Sequence, residues 1–154
     1  MSDRILFQLN LAKMRAPFND PIFDDFKDQL EELHILAETH PGFVWRYKGE
    51  DDVDGYIKPY PNAPLIMANL SAWVDYQSLF SYTFSGRHLE IMKSKRKWFS
   101  RLTSPHNVIY YGERNDLAKP GVELLNTAKR RLNYLRVYGD TPIAFGFGSG
   151  IEAS

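Results

Sequence analysis

The stretch "LIMANLSAW", Leu65–Trp73, decides the fold. It holds no charge, proline or glycine, and it runs directly into "VDYQSLFSYTF" (74–84), where the apolar spacing turns helical. A buried strand that delivers the chain into a helix is the expected reading. Alternate residues of a strand point to opposite faces. Ile66, Ala68, Leu70 and Ala72 form the set expected to pack against helices, which leaves Met67, Asn69, Ser71 and Trp73 on the other side.

Upstream, "RILFQLNL" (Arg4–Leu11) alternates in the same way. Ile5, Phe7, Leu9 and Leu11 make an apolar face, and Gln8 and Asn10 lie opposite. "APFNDP" supplies turn chemistry, with Asp20 as a cap and Pro21 at the first helical position. Apolar residues at 22, 23, 26, 30, 33, 36 and 37 then predict an amphipathic helix over Ile22–Glu38, stopped by "HPG". "FVWRYK" (Phe43–Lys48) is strand-prone, with its phase open: Trp45 or Arg46 can face the helices, but not both. A long loop follows, Gly49–Pro64, acidic and then proline-rich.

Downstream, "SG" at Ser85–Gly86 breaks the first helical run. A second helix is expected over His88–Leu102, a strand over His106–Gly112, and a final helix over Gly121–Tyr138. "IAFGFGSG" reads as a short terminal strand before a flexible tail, 148–154. The order is βαββαβ plus a helix, an α+β ferredoxin-like unit. Its sheet is antiparallel, with both crossover helices on one face. The other face needs cover, and a partner sheet from a second copy would close a dimeric α/β barrel. At 154 residues the chain is expected to be one domain.

Nineteen basic residues balance nineteen acidic ones, so no global field favours nucleic acid or an anionic membrane. The balance is uneven locally: Arg87 to Arg101 carries six cations and one Glu, a pattern usually found on a solvated helix face. Absence of cysteine excludes disulfides, thiolate catalysis and Cys-ligated zinc. With neither an 18-residue apolar run nor a secretory leader, a cytoplasmic location is expected. "EDDVD" (Glu50–Asp54) lacks the spacing of a calcium loop. "GFGSG" lacks the following helix of a phosphate cradle.

Candidate site residues follow from the faces. Gln8, Asn10, Asn69 and Ser71 gather amides and a hydroxyl, with Trp73 beside them. Buried amides need partners, so they line a pocket, bond to one another, or meet water. In "FSGRHLEIMKSKRKWF" (Phe84–Phe99), His88, Ile91, Met92, Lys95, Phe99 and Leu102 share a stripe, with Trp98 at its edge. His88 is the acid/base candidate or remains a structural histidine, and Lys95 either reaches water or a ligand. His34 and His40 read as exposed helix and helix-stop residues. Arg46, if it faces the pocket, can stabilise an enolate or carboxylate. Trp45, Trp73 and Trp98 offer flat apolar contact. No metal cluster is expected. Taken together, the leading expectation is a small-molecule enzyme holding a hydrophobic, aromatic or polyketide-like substrate between the sheet and the His88 helix. A twin subunit would roof the amide face. Alternatives are a dehydratase, isomerase or cyclase in the same pocket, or a non-catalytic ligand-binding homodimer.

"LNLAKMRAPFNDPIFDDF", "PGFVWR", "LIMANLSAWVDYQSLFSYTFSGRHLEIMKSKRKWF" and "YLRVYGDTPIAFGF" together resemble the domain-of-unknown-function family 3291. The resemblance implies a dimeric α/β barrel, in a wider group that includes monooxygenases. It makes oxygenation of such a substrate in biosynthesis the leading expected reaction, ahead of the non-redox alternatives. Haem-degrading members of that group carry S-x-x-F-x-x-x-H on a helix. Ser81, Phe84 and His88 are similar in spacing, which would make His88 an axial ligand if haem is bound.

Overall fold

The computed structural model describes residues 3–49 and 56–152. The "EDDVD" run lies outside the described residues, and with it the calcium question. Strand β1 (Arg4–Met14) is the spine of an antiparallel sheet. One edge pairs with β3 (Ile66–Trp73) from Leu6 to Lys13; the other pairs with β5 (Asn107–Glu113) from Arg4 to Asn10. β2 (Phe43–Arg46) lies on the outer edge of β3. The expected α+β ferredoxin-like order is therefore present.

β1 outruns β5, and its free backbone at Lys13 and Met14 recruits β4 (Phe99–Ser100). This corrects the expected helix over His88–Leu102. Helix α3 spans only Gly86–Met92, followed by a 3-10 turn at Lys95–Lys97. Two forces end the helix early: like charges crowd Lys93–Lys97, and open ladder groups on β1 need partners. The expected terminal strand is reduced to isolated bridges, Ile109 with Phe145 and Thr141 with Ala144. Within the long loop, Ile57 bridges Ala68.

Helices α1 (Asp24–Glu38) and α2 (Tyr76–Thr83) form as their caps dictate. Asp20 accepts from the Ile22 amide at 3.0 Å in the turn leading into α1, and Asp75 accepts from the Ser78 amide at 2.8 Å at the start of α2. Helix α4 covers Gly121–Tyr138, as its spacing predicts, and ends at Gly139, whose φ of 73° favours glycine.

The aliphatic face packs against a helix as expected, but that helix is α4; the crossover helices lie on the amide face instead. Ile5, Phe7, Leu9, Leu11, Leu70 and Val108 are buried against the α4 stripe of Leu124, Leu125, Ala128, Leu132 and Leu135. Leu6, Met14, Met67, Trp73 and Ile109, on the amide side, pack under α1, α2 and α3. The aliphatic face goes to the helix with the most continuous aliphatic stripe, where each buried Leu contributes roughly 1.5–3 kcal/mol. Since α4 covers that face within one chain, no twin subunit is needed there, and the amide face is roofed by the chain's own helices.

Candidate functional site

Between the amide face and α1–α3 lies a cavity of about 250 Å³. Gln8, Asn10, Asn69, Ser71, Trp73, Arg46 and His88 all line it, so the structure brings together seven of the residues singled out from sequence. A lobe of about 130 Å³ under α3 adds Lys95 and Trp98 and shares Asn10, Asn69 and His88 with the main cavity. Trp45 is the exception. Its ring lies on the α4 side, 6.4 Å from Phe7 and stacked on Tyr47. The reason is a bulge in β2: Phe43 pairs with Trp73, but Trp45 pairs with Ala72 and Arg46 with Ser71. One inserted residue puts both Phe43 and Arg46 on the cavity side.

The floor is a cross-strand row of amides. Asn69, Asn10 and Asn107 stand opposite one another on β3, β1 and β5. Asn107 Nδ2 donates to Asn10 Oδ1 at 3.4 Å, while Asn107 Oδ1 is buried with no hydrogen-bond partner among the described residues. One register step away, Trp73 Nε1 donates to Ser71 Oγ at 2.9 Å, and Ser71 Oγ reaches Gln8 Oε1 at 3.5 Å. These two groups therefore hold the indole in place. The asparagine row keeps capacity for a ligand.

The wall opposite the floor carries His88. Gly86, with φ of 49°, turns the chain back between α2 and α3, so that His88 Nδ1 meets the Thr83 carbonyl at 2.9 Å. A carbonyl only accepts, so Nδ1 carries the proton and Nε2 keeps its lone pair. Burial holds the His88 pKa below its ordinary value, against the opposing effect of the Thr83 hydrogen bond. Burial thus favours the neutral imidazole, whose basic atom is Nε2. Tyr82 is stacked on Trp73 at 5.0 Å and donates its hydroxyl to the Leu33 carbonyl at 3.0 Å. Burial pushes its phenol up to about 12. It is an aromatic wall, not a proton donor to a ligand.

Arg46 is tethered by Nε to Glu38 Oε1 at 2.7 Å, which lowers the Glu38 pKa. With Nε so engaged, the guanidinium can offer a ligand only its Nη edge. His34, expected to be an exposed helix residue, lines this cavity and a neighbouring cleft of about 460 Å³ at the β3 edge. Phe84 and Phe147, 5.1 Å apart and edge to face, form another part of the wall. Sequence reasoning missed His34, Tyr82, His106, Asn107 and Phe147. Only Asn107 carried a signal, since its strand phase matches that of Asn10.

Haem is the cofactor implied by Ser81, Phe84 and His88. The Nδ1–H tautomer leaves Nε2 as the atom that would ligate, while the cavity beside His88 by itself, about 250 Å³, is smaller than the roughly 300–1,000 Å³ of pockets for drug-sized ligands. Tyr82 also packs 4.9 Å from the His88 ring. Among the described residues, no cluster of three or more His, Asp or Glu could hold a metal ion.

The model of the family described as domain of unknown function DUF3291 matches residues 5–154. The chain belongs to DUF3291. Solved structures similar to this DUF3291 protein share its fold at low identity. One is a protein assigned as an antibiotic biosynthesis monooxygenase from Nitrosomonas europaea, 14% identical with a TM-score of 0.51, covering 73% of this chain and 92% of that one. A conserved protein from Methanosarcina mazei is 13% identical with a TM-score of 0.51, covering 71% and 92%. A third, from Shewanella oneidensis, is 7% identical with a TM-score of 0.52, covering 72% and 93%. A comparison with curated proteins finds no match. No helix of the DUF3291 chain, among the described residues, is long and apolar enough to cross a membrane.

Proposed function

We propose that this DUF3291 protein is a small-molecule enzyme that oxygenates a hydrophobic, aromatic or polyketide-like substrate in the cavity beside His88. The observation that carries this reading is one juxtaposition. An imidazole with its Nδ1 held by the Thr83 carbonyl and a row of three asparagine amides share one small, aromatic-walled space. The monooxygenase-like fold of a similar protein supports it.

The chemistry that fits is proton abstraction from an acidic C–H next to a carbonyl or phenol. His88 Nε2 takes the proton, and amide N–H groups of Asn10 and Asn69 with the Arg46 Nη edge donate to the resulting enolate oxygen. The enolate carbon then supplies electrons to dioxygen, forming a C–O bond. Loss of water from the peroxide, with the proton returned from His88, leaves a carbonyl. One CH₂ and one O₂ become one C=O and one H₂O. Without dioxygen, the same proton transfer would serve an isomerase or cyclase. A homodimer, which the resemblance implies, would use a surface other than the face covered by α4.

An anthrone tests the proposal, because its CH₂ is acidic and its oxidation to the quinone is visible. Protein-dependent uptake of one O₂ per quinone formed, at least tenfold lower in His88→Ala, is expected. Full turnover in His88→Ala, or no uptake by the native protein, would overturn it.

A further inference from the structure

A second cavity of about 240 Å³ opens where α3 gives way to the 3-10 turn and β4. We propose that it seats an anionic group, a carboxylate or a phosphate ester, carried by the substrate whose reactive part lies at His88. The inference rests on the reading of the His88 cavity as a substrate chamber.

Three observations converge. First, Lys95, Arg96, Arg101 and His106 line this cavity, and among the described residues no carboxylate does. Second, Lys93, Lys95, Arg96, Lys97 and Arg101 form no ion pair among the described residues, although Arg46, Arg87 and Lys119 each do. In a chain whose charges cancel overall, five neighbouring cations without an ion pair among the described residues repel one another and concentrate anions locally. Third, the cavity shares Asn10, Met92 and His106 with the His88 chamber, so one extended molecule can occupy both.

The frame that presents these cations is anchored. Trp98 is buried against Phe26 at 5.1 Å, and its carbonyl accepts the Arg15 amide at 2.8 Å. The Arg96 carbonyl accepts Arg15 Nε at 2.7 Å. A continuous helix would have spread the same cations around its circumference. The break at Met92 and the turn at Lys95–Lys97 put Lys95, Arg96 and Arg101 on one opening instead. The basic run of the sequence thereby becomes a recognition element for a substrate with an acidic end.

Displacement of N-phenyl-1-naphthylamine, a neutral fluorescent probe of the chamber, tests this at low ionic strength. 1-Naphthoate and 1-naphthyl phosphate are expected to displace it at about tenfold lower concentration than neutral 1-naphthol. The gap should collapse in the Lys95→Gln/Arg96→Gln/Arg101→Gln variant, whose substituted side chains are all exposed. Whichever anion has the advantage identifies the carboxylate or the phosphate. If naphthol displaces the probe as well as the anions do, or the gap survives the triple substitution, the anion seat is wrong and the chamber stands. Failure of the probe itself to bind the native protein removes chamber and seat together.

Discussion

The rings of Tyr82 and His88 lie 4.9 Å apart, tilted by 59°, in the interior where the imidazole is buried. Aromatic carbon lies on one side of the ring while the Thr83 carbonyl accepts the hydrogen bond from its Nδ1–H. Burial holds the His88 pKa below 6.5, the value expected for the unfolded chain. As pH falls through that value, the unfolded chain gains a proton that the folded imidazole resists, so stability is lost. Well above it both states are neutral, and His88 adds no pH dependence. Urea midpoints between about pH 7.5 and pH 5 should therefore fall more steeply for the native protein than for His88→Gln. Parallel curves would show that the folded imidazole titrates like an exposed one.

Ser71→Ala removes the acceptor of the Trp73 indole N–H in a place where both residues are buried. An unsatisfied buried donor costs about 1–3 kcal/mol, and that loss is expected in urea unfolding followed by tryptophan fluorescence. A change within about 0.5 kcal/mol would mean that Gln8 or water replaces the hydroxyl.

Trp45 and Trp73 separate stability from binding. Trp45→Ala should destabilise by about 2–3 kcal/mol through the α4 interface, with N-phenyl-1-naphthylamine affinity unchanged. Trp73→Phe should alter that affinity, because the indole lines the cavity. Loss of probe binding in a fully stable Trp45→Ala would place that ring in the chamber after all.

Gly42, immediately before β2, lies against the first turn of α2. A Cβ there would land on the Ser78 side chain and lie 3.2 Å from Val74 Cγ2. Gly42→Ala must displace the first turn of α2, at a cost of about 1–3 kcal/mol. Adding Ser78→Gly should recover part of that loss. A double-mutant cycle measures the coupling, and additive effects would exclude the contact.

Much of this arrangement was legible in the linear sequence, for a local reason. Alternation along a strand is built into the backbone, so Gln8 with Asn10, and Asn69 with Ser71, were bound to share faces. The caps, the Ser85–Gly86 break and the α4 boundaries are equally local. Register supplied what sequence hinted at only weakly: Asn107 completes the amide row because β5 pairs with β1 at Asn10.

Which face points where was not local. Two helical layers compete for one sheet, and the aliphatic stripe of α4 took the aliphatic face, which left the amides to α1–α3. One bulged residue in β2 moved Trp45 out of the site and Arg46 into it. The end of β1 pulled residues 99–100 out of a helix and gathered the cations around an opening. The sequence alone determined which side chains travel together. Tertiary structure decided what they face, because burial is settled by the total area each competing layer can cover, a quantity no single segment contains.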